Sequence, residues 1–213
     1  LHQTDQIQFQ GMSKEIKDFR AQTGEETLWT NSAFGGMPAY QISVKSHNVI
    51  KSIKDIILKI IPRPIGYMFF LMLGFYILLL CFNVNPWLAI IGAVAFGFSS
   101  LNMLYLGAGH NAKIHAISFI PPIIGGIYYA YRKNKYIGSA LVALFVSWHL
   151  AANHFQMTYY MLFLILAIFI IEFYRAYKNR ILPHFIKLSA ILLFAGILGL
   201  LPSFSNLYST YEY

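Results

Sequence analysis

Few side chains in this 213-residue chain can do chemistry, and they sit between long apolar stretches. Asp5 offers a carboxylate that can take a proton or orient a hydroxyl. Capping a helix that starts beside it is an equally simple role. His110 and Lys113 bracket Asn111 in Gly107-Ala108-Gly109-His110-Asn111-Ala112-Lys113. A compact ammonium with an imidazole beside it suits a phosphate, although an interfacial loop with a snorkelling lysine explains the same residues. Asn153, His154 and Gln156 occupy a second short break. They are candidates to hydrogen-bond a sugar or head group, or they form an ordinary polar turn. Trp29 and Asn31 lie in a polar N-terminal head, and Ser205, Asn206 and Glu212 in the tail. His115 and His149 fall in or near the end of apolar stretches, where ionisable groups are functional candidates, but a neutral histidine tied to a neighbouring helix is commoner. The spacing of His110, His115, His149 and His154 matches no zinc signature and no cysteine or carboxylate cluster joins them, so no metal or cofactor is assigned.

The elements that must hold these residues follow from the charge map. Hydrophobic residues make up 57% of the chain and charged ones only 11%, too few to cover a soluble surface. No Asp, Glu, Lys or Arg occurs in the 49 residues from Pro64 to Ala112, nor in Ile114–Tyr131, Tyr136–Ile171 or Leu188–Tyr211. A bilayer core needs about 20 apolar residues per helix. The expected fold is an all-α polytopic membrane protein with about six transmembrane helices, near 65–82, 86–106, 113–131, 136–152, 157–174 and 185–201. Ahead of them residues 1–48 form a polar region, with a helix over Ile7, Met12, Ile16 and Phe19 stopped by Gly24, then an irregular ordered loop from Leu28 to Tyr40. Residues 49–64 read as an interfacial amphipathic helix with a basic opposite face, broken by Pro62-Arg63-Pro64. Residues 65–201 form the membrane region and 202–213 the tail. Pro121-Pro122 and Gly125-Gly126 are expected to irregularise their span.

Short loops set orientation. Arg132, Lys133, Lys135, Arg175, Lys178, Arg180 and Lys187 fall at one end of the predicted spans, whereas the short loops at the other end contribute only Lys113. That places the basic loops in the cytoplasm and residues 1–64 outside, although Lys51, Lys54, Lys59 and Arg63 near the first span count the other way. The net charge of +8 is therefore a topology signal, and no nucleic-acid partner is expected. Glu172 is expected to pair with Arg175 at the inner end. The polar residues named first all gather at the outer end. The P-loop, His-Glu-x-x-His and Gly-x-Ser-x-Gly patterns are absent. A polar start at Leu1 and an abrupt stop at Tyr213 point to a fragment of a longer membrane protein.

Several stretches resemble the YfhO family of bacterial membrane proteins, the Bacteroidetes-type branch in particular. These are Asp5-Gln6-Ile7-Gln8-Phe9, Leu28 through Tyr40, Ala108 through Lys113, Ala152 through Tyr160, and Ser209-Thr210-Tyr211-Glu212-Tyr213. That family is similar to GT-C-type glycosyltransferases. The resemblance implies an enzyme of the bacterial inner membrane that moves a sugar from a polyprenyl-phosphate donor to a cell-envelope polymer or glycolipid. It also implies a longer parent whose first span precedes Leu1. Asp5 would take the position of the first-loop acid, and His110 and Lys113 would steady the leaving phosphate. Asn153, His154 and Gln156 would contact sugar, and Trp29 would stack on it. The next acid is Glu15, so a paired-acid motif is absent. A lipid or polymer transporter and a non-catalytic assembly component are the competing expectations.

Overall fold

The computed structural model describes residues 3–43, 49–61 and 63–212, with only the backbone of Val49, Ser209 and Glu212. Pro62 of the expected break and the Glu212 side chain lie outside the described residues. The chain is nearly all-α.

The head begins with α1 (Thr4–Met12) and α2 (Lys14–Thr23). One helix was expected here, but the chain bends at buried Ser13, whose hydroxyl donates to Phe9 O at 2.7 Å. Ile16 is fully buried, while Ile7 and Phe19 are exposed. Gly24 ends α2 as expected, with φ 76°, a conformation costly for any residue with a Cβ. The stretch expected to be an irregular loop holds a short hairpin. There β1 (Trp29–Thr30) pairs antiparallel with β2 (Met37–Pro38), and Gly35 and Gly36 turn the chain at positive φ.

After α3 (Val49–Ile60) come α4 (Ile65–Cys81), α5 (Pro86–Gly97), α6 (Ser100–Ala108), α7 (Asn111–Arg132), α8 (Lys135–Leu150), α9 (Phe155–Lys178), α10 (Leu182–Leu200) and α11 (Phe204–Glu212). Among the described residues, Phe155–Lys178 and Leu182–Tyr208 are long and apolar enough to cross a membrane. The pair α5 and α6, bent by 47° at Phe98–Ser99, makes a third if counted as one span. Helices α4 and α8 are apolar but shorter, at 17 and 16 residues. Much of α9 is exposed apolar surface, including Leu162, Phe163, Leu166, Ile170 and Phe173. So large an apolar face is suited to lipid and not to water.

Helix α7 is the central helix, packed against α4 on one side and α8 on another. Phe70, Phe119, Ile123, Val142, Phe145 and Trp148 fill the core between them. The expected disruption at Pro121-Pro122 does not occur, and α7 runs unbroken through both prolines. Pro122 has no N–H, so Ser118 O loses its donor within the helix. Gly74 of α4 sits against that oxygen so closely that a Cβ there would lie 2.0 Å from it. Gly138 of α8 lies as tightly on Gly126 O and Ala130 N, where its Cβ would be 2.5 Å away. The prolines and glycines of α7 therefore serve close backbone packing, and the break lies in α5–α6 instead.

Helix α3 forms where expected, but its faces differ. Ile50, Ile57 and Leu58 pack on the bundle, while Ile53, Ile56 and Ile60 are exposed. Lys54, expected on the solvated basic face, is only 3% exposed. It borders the apolar stripe, and its ammonium finds an acceptor in the interior, His115 Nδ1 at 3.3 Å.

Candidate functional site

Asp5 lies in the first turn of α1, and Gln3 holds the N-cap position without a side-chain cap bond. The capping role open to Asp5 is thus not the one it plays. Its Oδ2 instead meets His110 Nδ1 at 2.5 Å. A carboxylate only accepts, so Nδ1 carries the hydrogen, and Nε2 is left as the second functional atom of the ring. The head is held there by Gln3, whose Nε2 donates to Leu106 O at 2.7 Å. Gly109, at φ 88°, ends α6 and lets the head approach. A Cβ on it would stand 2.9 Å from Gln3 Cβ and 3.6 Å from Asp5 Cβ.

Lys113, in the first turn of α7, has its Nζ 4.4 Å from the centre of the Tyr105 ring. The same ring meets His110 edge-on, with centroids 5.8 Å apart. Among the described residues Lys113 makes no hydrogen bond or ion pair. His154 is the N-cap residue of α9. Burial foremost, with the Lys113 cation adding to it, pushes its imidazole below the usual histidine value. Its Nδ1 and Asn111 Oδ1 are buried polar atoms without a hydrogen-bond partner among the described residues. Such atoms are costly in a folded chain and are commonly met by a ligand or water.

Asp5, His110, Asn111, Lys113 and His154 are thus brought to one end of the bundle. The other expected site residues are not joined to them by any hydrogen bond or ring contact among the described residues. Trp29 is half exposed in β1, its indole covering Gly36. Asn31 is anchored through its backbone N–H, which donates to Glu15 Oε2 at 2.9 Å. Gln156 is exposed and donates to Tyr160 OH at 2.9 Å, one turn along α9. Asn153 stands at φ 52°, a left-handed conformation that asparagine tolerates, and faces a separate cavity beside the tail.

The two histidines expected in or near spans, His149 and His115, have structural partners, although His115 Nε2 makes no hydrogen bond among the described residues. His149 Nδ1 donates to Ala116 O and its Nε2 accepts from Thr158, both at 3.0 Å, tying α7, α8 and α9 together. His115 accepts from Lys54 and packs edge-on to Tyr67 at 4.6 Å. Among the described residues no group of three or more His, Cys, Asp or Glu converges. Residues missed from the sequence are Gln3, Tyr105 and Lys54. Tyr105 reads there as the end of an apolar span, though its place one helical turn before Gly109 was the available signal.

The opposite end holds Asn83, Arg132, Lys133, Glu172 and Arg175. Lys133 Nζ donates to Asn83 Oδ1 at 2.8 Å. Glu172 pairs with Arg175, as expected, at 3.3 Å and also with Arg132 at 2.8 Å. The chain matches no protein-family model, no curated protein and no solved structure.

Proposed function

We propose that this chain is part of a multi-pass protein of a bacterial inner membrane, with about six spans and residues 1–64 outside. In this reading it is a YfhO-like, GT-C-type glycosyltransferase that carries sugar from a polyprenyl phosphate to an envelope polymer or glycolipid. The observation that carries it is the cluster at one end of the bundle. A half-exposed carboxylate there holds a histidine by one nitrogen, beside a lysine set against a ring and two buried polar atoms that, among the described residues, have no hydrogen-bond partner. The separation of the Asp5 cluster from the Arg132–Glu172–Arg175 end supports the orientation. The short helices α4 and α8 span if the bilayer thins or their ends are extended by flanking residues.

In the proposed reaction the acceptor hydroxyl gives its proton to the Asp5–His110 pair as its oxygen attacks the anomeric carbon. The bond from that carbon to the phosphate oxygen breaks, and its electrons stay on the phosphate, whose charge Lys113 offsets. The test is transfer from a synthetic polyprenyl-phosphate sugar by the full-length protein in membranes. Asp5→Asn is expected to lower the rate by about 100-fold or more. Unchanged transfer ends the catalytic assignment. A second reading, a lipid or polymer transporter, draws on the 47° break between α5 and α6, since broken helices line transporter sites. Under that reading substitutions at Phe98–Asn102, and not at Asp5, abolish function.

A further inference from the structure

A cavity of about 240 Å³ lies beside the charged cluster, where the head, α3, the α8–α9 turn and the tail meet. We propose that it is a binding site for a single neutral sugar ring. Its chemistry selects that ligand. Three amides from three separate segments face it, Gln41 after the hairpin, Asn153 in the α8–α9 turn and Asn206 in α11. An amide both donates and accepts, as does a sugar hydroxyl, so the two pair in either sense. Ser203 and Ser205 add hydroxyls of the same kind. Phe9 and Tyr40 supply aromatic surface for the apolar face of a ring.

Other ligands fit less well. Among the described residues the lining has no carboxylate, histidine or cysteine to hold a metal, and Lys51 is its one cation, too little for a polyphosphate. The many polar groups disfavour an acyl chain. The volume is below the roughly 300–1,000 Å³ of drug-sized sites, which suits one ring and not a polymer. Asn153 and Phe9 link the two places, because Asn153 is followed by His154 of the cluster and Phe9 lies one turn along α1 from Asp5. A sugar in the cavity therefore lies next to the proposed phosphate site. Its role in transfer rests on the reading above, but its binding does not.

The test is saturation-transfer NMR on the full-length protein, purified in a detergent without a sugar head group. The probes are the methyl glycosides of glucose, galactose, mannose and N-acetylglucosamine. At least one is expected to bind saturably. Asn206→Leu and Gln41→Leu are each expected to weaken it about tenfold or more at unchanged unfolding temperature, while Lys133→Met at the opposite end of the bundle leaves it unaltered. Absence of binding by all four probes overturns the proposal, as does equal binding by both cavity variants. Glycoside binding that persists where Asp5→Asn leaves transfer intact refutes the catalytic assignment alone.

Discussion

Asp5 and Glu172 are carboxylates at opposite ends of one bundle, and their surroundings differ in kind. Glu172 is only 6% exposed and is met by two guanidiniums, Arg132 and Arg175. Its charge is compensated, and nothing is left over for a substrate. Asp5 is 42% exposed and meets one imidazole, whose other nitrogen makes no hydrogen bond among the described residues. Glu172 ties α9 to α7, whereas Asp5 ties a polar head to the entrance of α7 and leaves hydrogen-bonding capacity unspent. A saturated buried pair is a structural device, and an unsaturated, half-open one beside orphaned polar atoms has the form of a site.

The contrast is sharpest in stability. Glu172→Gln leaves two arginines facing a neutral amide and is expected to cost about 3–5 kcal/mol, read as denaturant unfolding in detergent. Asp5→Asn is expected to cost less than about 1 kcal/mol by the same measurement, because the pair is half exposed. Equal losses erase the distinction between the two ends.

Lys54 gives the next largest effect. Burial pushes its ammonium down to about 8 from 10.5, with Asp55 opposing and Lys51 and Arg63 adding. Between those pH values the unfolded chain holds the proton and the folded one does not. Stability should therefore rise with pH across about 8 to 10.5, by about 3 kcal/mol. Lys54→Met should flatten that rise. A rise that survives the substitution places its origin elsewhere.

Lys113→Met removes a cation from the Tyr105 ring and should cost about 0.5–1 kcal/mol of stability. If the proposed transfer holds, the larger consequence is a rise of about tenfold in the KM for a polyprenyl-phosphate sugar, the scale of one hydrogen bond to a charged group. Gln156→Ala should change neither stability nor transfer beyond about 0.5 kcal/mol, since among the described residues Gln156 bonds only Tyr160 on an exposed face. A large loss at Gln156 redraws the site along α9.

Five of the long helices were legible because apolar runs between charges set their extents to within a few residues, but the run over 86–106 is two helices bent by 47°. The C-cap at Gly24 and the Glu172–Arg175 pair were local in sequence and were read correctly. Arg132, forty residues away, was not, because only tertiary packing brings it to Glu172. The prolines of α7 misled for a related reason. They remove the helical donors to Ile117 O and Ser118 O without breaking the helix, and the close approach of Gly74 to Ser118 O comes from another helix. Lys54 was assigned to a solvated face by charge alone, yet its place at the edge of the apolar stripe, with His115 across from it, turned it inward. Of the site, Asp5, His110, Asn111, Lys113 and His154 were named from the sequence as outer polar residues. That Asp5 and His110 share a hydrogen bond was not readable, since 105 residues separate them.

The most direct test of the central claim is a double-mutant cycle on sugar transfer with Asp5→Asn, His110→Gln and the two combined, all in the full-length protein. If the pair works as a unit, each single change should cost about as much as both together, with a coupling of at least about 1.4 kcal/mol, a tenfold departure from additivity. Strictly additive losses, or no loss from either change, contradict it.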